Sequence, residues 1–382
     1  MGTNTSVVDS KLRFHWRLPE AGETDGAVVT RDRDARDRGR PDLQAQASFC
    51  VRAESAGIDS VLVNLQFSVP DPMTLSLALA TRTERMRFMV AVRPGLMSPT
   101  LLVQQVNTFA VLTGGRICLN MVAGHSPDEM RYYGDSQPHD QRYERMEEFL
   151  TVCRAFWQSQ EPVDFKGRHY VIEQGRLNTR FVSDRETQPE IYLGGASAGA
   201  QEVAARHATV WMRFPDRPGT LRQDIQPVLS RGAAVGLRMS IICRPSRDEA
   251  LEVIRTLMSS PQIEAKRRSE ASFVKKSDSQ SVRSVFEMAQ DEWLTPSLWS
   301  GGAGVLGAPS IALVGSPDEV VAGILEFKEA GISHFIFSGW PKVDEMVRFG
   351  ESVLPLVRRL EAASAARPTA TPGGRKVVYR LD

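Results

Sequence analysis

The sequence predicts an α/β fold of the TIM (β/α)8 barrel type with insertions, and three observations carry the prediction. Short apolar segments alternate with stretches of helical periodicity, the order expected of parallel strands joined by helical crossovers. The apolar segments are near-continuous rather than alternating, as in parallel strands covered on both faces. Eight strand-then-helix units can be counted along the chain. Such a barrel takes roughly 250 residues, so a chain of 382 has room for long insertions.

The first strand is "KLRFHWRL" (11 to 18), followed after a polar loop by a helix from about Leu43 to Ala56. The second unit pairs a strand at 59 to 65 with a helix at 71 to 83, and the third a strand at 86 to 92 with a helix from Pro99 to Leu112. A fourth strand at 116 to 122 leads to a helix at 142 to 159. The fifth strand, "EIYLG" (190 to 194), is followed by a helix from Ala198, and the sixth, "TVWM" (209 to 212), by a helix at 217 to 235. The seventh strand is "LRMSIIC" (237 to 243) with a helix at 247 to 259, and the eighth is "HFIFSG" (334 to 339) with a helix at 343 to 361.

The remaining segments read as insertions into one barrel domain spanning 1–366. "VDFKGRHYVIE" (163 to 173) has the form of a hairpin around Lys166-Gly167, and 124 to 140 is a long polar loop. The largest insertion, 260 to 312, ends in "SGGAGVLGAPS". Long segments of this kind in a compact domain are lids or disordered stretches more often than idle connections, and a lid is expected here. Residues 367–382 read as a tail that reaches towards a neighbouring subunit.

The formal charge of +1, with basic residues spread along the chain, gives no footprint for nucleic acid. The four cysteines, Cys50, Cys118, Cys153 and Cys243, lie far apart without C-x-x-C spacing and read as buried thiols of a cytoplasmic protein. Neither a signal-peptide core nor an 18-residue uncharged apolar run occurs, so no membrane anchor is expected. The six histidines are scattered and no H-E-x-x-H is present, which leaves metal chemistry without support.

Two chemistries compete for the stretch "EIYLGGASAGAQEVAARH" (190 to 207). Gly195, Ser197 and Gly199 spell the G-x-S-x-G of a hydrolase nucleophile elbow. The same strand-turn-helix junction aims backbone N–H groups at an anion, where the helix dipole favours a phosphate. A hydrolase also needs a downstream histidine in a loop; His207 lies in the helix leaving the turn and His334 opens a strand. "GAGVLG" (302 to 307) matches G-x-G-x-x-G, but Trp299-Ser300-Gly301 precedes it and Pro309 follows, so it reads as flexible lid glycines rather than a dinucleotide turn. His125, after the fourth strand, is placed at the barrel mouth, as a loop residue or a functional one.

Taken in order, "VAVRPGLMSPTLLVQQVNTFAVLTGGRICLNMVAGHSPDEMRYYGD", "RYERMEEFLTVCRAFW", "VDFKGRHY", "IYLGGASAGAQEVAARHA", "SLWSGGAG" and "ALVGSPDEVVAGILEFKEAGISHFIFSGWP" resemble the bacterial luciferase-like monooxygenases, in the branch of the alkanesulfonate monooxygenases. The likeness runs from about residue 12 to 360. It implies a TIM barrel that takes reduced FMN from a separate NAD(P)H-dependent flavin reductase, with O2 adding to give a peroxyflavin, and a homodimer or homotetramer.

The resemblance places Asn120 towards the flavin, the Tyr143 hydroxyl on its phosphate, and Ala196 and Ser197 on the phosphate at the helix N-terminus. Departures are as informative. The cysteine those sulfonate enzymes carry after the second strand is Val69 here, and their histidine on the seventh strand is Ser240. Their lid arginine falls on Leu306, the tyrosine of their Ser-Gly-Tyr-Pro turn becomes Trp340, and the histidine after it Lys342; Arg238 is retained. Losing a lid cation argues against the same sulfonate being held in the same way, since a buried anionic head needs paired donors.

What remains for the substrate pocket is Trp16, His15, Arg17, Phe67, Arg213, Phe214, Arg238 and Trp340, a mixture of aromatic walls and a few cations suited to a larger, partly apolar small molecule with a polar handle. Arg238, His15 and Trp340 are the candidate catalytic residues; His15 is the candidate acid or base near neutral pH. His15 and Trp16 have a plainer reading too, as packing residues of the barrel. The expected activity is oxygenation of an organic substrate, by hydroxylation, Baeyer-Villiger insertion or cleavage of a carbon–sulfur bond. The alternatives are an alkanesulfonate monooxygenase proper, a non-catalytic flavin-binding accessory protein, and a serine hydrolase using Ser197.

Overall fold

The computed structural model describes residues 11–19, 40–158, 161–184 and 186–365. Eight parallel strands close into a barrel: β1 (Arg13–Arg17), β2 (Ser60–Val63), β3 (Arg87–Val92), β4 (Ile117–Met121), β5 (Ile191–Gly194), β6 (Val210–Arg213), β7 (Ala234–Arg238) and β8 (His334–Phe337). Each strand pairs with its neighbours in sequence and β8 closes on β1, the topology of a (β/α)8 barrel.

Alternation along each strand sorts its side chains into two layers. On β1, Phe14 and Trp16 face the helices and pack with Phe337 and Phe349. Arg13, His15 and Arg17 therefore take the lumen face. The lumen is filled rather than open. At its amino end Glu190 accepts from Arg87 at 2.8 Å and lies 3.5 Å from Arg13. Above them His15 meets Ser60 Oγ through Nδ1 at 2.8 Å and the Tyr192 hydroxyl through Nε2 at 3.3 Å, with His334 stacked 5.8 Å away. Leu62, Met89, Cys118, Val210, Met212 and Ile336 complete that packing.

The hairpin forms as expected, from Val163–Lys166 and Val171–Gly175. Elsewhere the structure differs from the sequence expectation. The run 237 to 243 is not one strand: β7 ends at Arg238, and Ser240–Cys243 joins a separate sheet, parallel to Ala312–Gly315, which in turn pairs antiparallel with Leu298–Trp299. No glycine or proline marks the break; it arises because Ser240 finds its backbone partner at Ile311 while Met239 still bonds to Ile336 of β8. The helix expected at 217 to 235 is two short helices, Pro218–Asp224 and Gln226–Leu229, and a turn at Gly232, φ 92°, redirects the chain into β7.

The segment from 260 to 312 contains helices Ile263–Lys276 and Gln280–Met288 and a short turn of helix, Ala303–Leu306. The run "GAGVLG" thus lies in and around that turn, not between a strand and a long helix. The loop expected at 124 to 140 contains a helix, Pro127–Tyr132. A long helix at Pro317–Ala330 was absent from the sequence reading, although Ser316 and Glu319 form a reciprocal capping box at its start. The tail at 367–382 lies outside the described residues.

Candidate active site

The carboxyl ends of the barrel strands carry two groups of polar side chains on opposite sides of the mouth. One lies at the end of β5. The chain leaves Gly194 through Gly195, whose φ of 135° is open to glycine only, and a Cβ there would stand 2.4 Å from the Tyr143 hydroxyl. Trp211 Nε1 donates to the Gly195 carbonyl at 2.8 Å and fixes the turn from below. Ser197 caps the helix Ala198–His207, its Oγ accepting from Ala200 N at 3.3 Å. Gln201 holds the Ala196 carbonyl at 3.1 Å.

Tyr143 arrives from the helix His139–Trp157. Its hydroxyl reaches the Gly194 carbonyl at 3.5 Å. Burial pushes its pKa to about 12, so it stays a neutral donor. Arg142, 3% exposed, sits beside it and pairs with Asp278 at 2.6 Å. Asn120 points from β4 into the lumen next to Tyr192, and its amide makes no hydrogen bond among the described residues. The four sequence-predicted cofactor residues, Asn120, Tyr143, Ala196 and Ser197, therefore come together around β4 and β5.

The geometry around Ser197 does not build a hydrolase. His207 Nε2 is bound to Glu147 at 2.8 Å, and His334 lies in the lumen against His15. Neither ring faces the Ser197 hydroxyl, which already serves as a helix cap.

The second group lines a cavity of about 160 Å³ at the ends of β1, β7 and β8. Arg238 projects into it, donating to the carbonyls of Met239 and Ile336 at 2.9 and 3.2 Å and to Ser338 Oγ at 3.2 Å. Enclosure by protein, together with the neighbouring charge of Arg17, lowers its pKa to about 9. Ser240 bonds to Ser338 and to the Pro309 carbonyl, and Trp340 closes one wall. Arg244 fixes that wall by donating to the Trp340 carbonyl at 2.8 Å while paired with buried Glu345 at 2.6 Å.

Several expected pocket residues lie elsewhere. His15 sits in the lumen packing below the mouth and does not line the cavity. Burial, with His334 and Arg13 adding to it, holds its pKa well below the usual histidine value, which favours the neutral ring. Phe67 is 62% exposed and packs on Tyr132. Arg213 follows Trp211 onto the outer face of β6, lies over that indole and bonds Asp224 at 3.3 Å. Phe214 packs against the main core. Trp16 borders the cavity, but its ring belongs to the helix-facing core.

Other residues at the mouth were not singled out in the sequence. Arg93 directly follows β3, is 2% exposed and pairs with Glu129 at 3.3 Å, while its Nε and Nη1 have no partner among the described residues. Its place at a strand's carboxyl end was the available signal. Lys266, from the insertion, lines the cavity as well, and nothing local in the sequence points to it. His125 anchors the insertion: its carbonyl accepts from Ser277 at 2.8 Å and its ring meets Phe273 edge-on.

The family model of luciferase-like monooxygenases matches residues 24–334. Among solved structures, EDTA monooxygenase (EmoA) from Chelativorans sp. BNC1 superposes with a TM-score of 0.70 at 19% identity, covering 92% of this chain and 94% of that one. Riboflavin lyase (RcaE), solved with modified FMN and riboflavin, gives 0.72 at 18% identity with 92% of each chain covered. The coenzyme F420-dependent tetrahydromethanopterin reductase from Methanopyrus kandleri gives 0.62 at 16% identity, covering 91% of this chain and all of that one (100%). At these identities the structural likeness is one of fold, and the family match over most of the chain supplies the rest: this chain belongs to the luciferase-like monooxygenases.

Proposed function

We propose that the protein is a monooxygenase that uses reduced FMN, delivered by a separate flavin reductase, to activate O2 and oxygenate a small organic substrate. One observation carries the choice of cofactor: the Gly195-Ala196-Ser197 turn at the start of a ten-residue helix, with the Tyr143 hydroxyl against it. That is an anion cradle built from small residues, a helix N-terminus and a neutral donor. It fits a terminal phosphate. When bound, reduced FMN supplies the two electrons that oxygen activation requires.

The residues of this chain then have defined tasks. Ser197, Ala196 and Tyr143 hold the phosphate, Asn120 meets the flavin from the lumen, and Arg238 with Trp340 shapes the substrate side. The helices of 260–312 cover the mouth as a lid and keep water from the reduced flavin and activated oxygen. Leu101, Val111 and Leu112, exposed on the helix Pro99–Thr113, supply apolar surface that a homodimer or homotetramer would cover. Among the described residues no helix is long and apolar enough to cross a membrane.

The test is an anaerobic titration with reduced FMN, reduced riboflavin and reduced F420, followed by oxygen uptake in the presence of a flavin reductase. Reduced FMN should bind at micromolar protein and ahead of riboflavin, because the cradle reads the phosphate. Preference for F420 would replace the cofactor, and binding of none of the three would sink the reading. Peroxide release with every substrate offered would favour the accessory-protein alternative.

A further inference from the structure

His125 is a polar residue at the mouth to which the proposed activity gives no task. The chain leaves β4 through Val122 and Ala123, turns at Gly124, φ 85°, and sets His125 at the carboxyl end of the barrel, the end that carries the sites of such folds. Its carbonyl accepts from Ser277 at 2.8 Å, a contact that any residue would make. The ring is another matter. It packs edge-on against Phe273, and neither of its nitrogens has a hydrogen-bond partner among the described residues. Polar atoms enclosed in this way carry an uncompensated desolvation cost until a ligand meets them. The other histidines differ. His15 is bonded at both nitrogens, to Ser60 and Tyr192, while His139, His207 and His334 hold Asp140, Glu147 and Ser333. His169 lies in the hairpin beside Glu144.

Two ion pairs flank the ring. Glu129 with Arg93 lies at the end of β3, and Asp278 with Arg142 joins the insertion to the helix that carries Tyr143. The insertion helix Ile263–Lys276 adds Lys276, 3.8 Å from Asp128, and Glu270, one turn before Phe273. On that helix Ile263 and Lys266 line the cavity at the ends of β1, β7 and β8. Phe273 stands about two turns beyond Lys266 and so falls on the same face. One helix face therefore runs from the cavity to His125, and Arg142 links His125 to the Tyr143 side of the mouth.

We infer that His125 is the acid–base residue of the proposed monooxygenase, meeting the reactants at the mouth and passing a proton at a ring nitrogen. The inference deepens the proposed function and rests on it. A neutral imidazole carries both a donor and an acceptor, which suits it to take a proton and give it back. Burial, opposed by Glu129 and Asp278, lowers the His125 pKa from its ordinary value, which favours the neutral ring as a base near neutral pH. Over the reaction the O–O bond of O2 breaks, one oxygen passes to the substrate and the other leaves as water. The two electrons and two protons come from reduced FMN. His125 takes up a proton and returns it to the departing oxygen, ending as it began. Without substrate both oxygen atoms leave together as hydrogen peroxide, and the same transfer is needed.

The experiment follows reoxidation of bound reduced FMN by O2 in the full chain, recorded by flavin absorbance between about pH 5.5 and 8.5, the range in which a histidine titrates. Alongside it, NMR of the His125 ring nitrogens, identified through the contact with Phe273, is taken anaerobically before and after reduced FMN is added. The parent protein should lose rate as pH falls through the His125 pKa. His125→Gln should slow reoxidation about 100-fold, the lower end of acid–base catalysis, and flatten that profile, and imidazole added to His125→Ala should restore part of the rate. The ring signal should shift when reduced FMN binds. Ser277→Ala, which removes the bond to the His125 carbonyl and keeps the ring, should retain the acid limb; its loss there would assign the limb to the insertion and overturn the inference. Reoxidation by His125→Gln at the parent rate and profile, or a ring signal indifferent to bound reduced FMN, overturns the inference and leaves the cofactor reading standing. Should neither His125 variant fold, the ring signal of the parent decides. A parent protein that does not bind reduced FMN ends both readings.

Discussion

Arg142 Nη2 lies 2.6 Å from Asp278 Oδ2, and this ion pair ties the helix that carries Tyr143 to the turn between the two insertion helices. With the Ser277–His125 hydrogen bond and the Lys276–Asp128 pair it ties the insertion to the segments that follow β4. Asp278→Ala should leave Arg142 buried without its counter-charge and loosen the segment. The expected results are faster proteolysis within residues 263–288 and a rise in peroxide released per oxygen consumed, with little change in overall melting temperature. An unchanged cleavage pattern would show that the pair does not hold the insertion.

The proposed phosphate cradle allows a graded test. Ser197→Ala removes a helix cap worth about 1 kcal/mol and should weaken reduced FMN binding while leaving reduced riboflavin unaffected, since riboflavin has no phosphate. Gly195→Ala is harsher, because it forces a side chain into φ 135° and against the Tyr143 hydroxyl. It should cost roughly 1–3 kcal/mol from backbone strain and abolish the preference for FMN. Equal losses of FMN and riboflavin in Ser197→Ala would place the phosphate elsewhere.

Two histidines in the lumen predict acid sensitivity. Burial, and then the charge of Arg13, lowers the His334 pKa to about 3, and His15 is held well below its usual value by burial and by His334. Both fold neutral, so above the unfolded value near 6.5 they contribute no pH dependence. As pH falls below that value the unfolded chain takes up protons that the fold refuses, and stability drops towards pH 3. His334 contributes about 1.4 kcal/mol per pH unit across that window, and His15 adds in the same direction. Melting curves between pH 7.5 and 5 should show the loss, and His334→Gln should reduce it by about half. A flat profile in the parent protein contradicts the burial of both rings.

Glu129 holds Arg93 at 3.3 Å and also accepts from the Phe67 amide at 3.2 Å. Glu129→Gln therefore leaves a buried guanidinium without its counter-charge. Removing one partner of a buried pair costs about 3–5 kcal/mol, measurable in urea unfolding. The double variant Glu129→Gln with Arg93→Met should recover much of that loss, because it removes the stranded charge; failure of the rescue would mean that Arg93 has a role beyond pairing.

Much of this protein was legible in the sequence, and the reason is local. Near-continuous apolar runs specify buried parallel strands, so the barrel strands were found, most of them to within a few residues. The turn at Gly195, Ala196 and Ser197 was legible because the backbone geometry of a strand-to-helix junction demands small residues and a cap. The helix Pro317–Ala330 carries an equally local signal in its Ser316-x-x-Glu319 cap.

Tertiary structure alone decided which way the side chains at strand ends face. Arg213 and Arg238 each end an apolar barrel strand, yet strand alternation turns Arg213 outward onto Trp211 and Arg238 into the cavity, a difference of one residue in register. The break after Arg238 depends on partners nearly a hundred residues away in Ile336 and over seventy away in Ile311. Phe67 looked like a pocket wall but is exposed, and Lys266 looked like a surface charge but lines the cavity. Periodicity within a segment fixes that segment's own conformation; the composition of a site depends on how distant segments dock, and no local pattern encodes that.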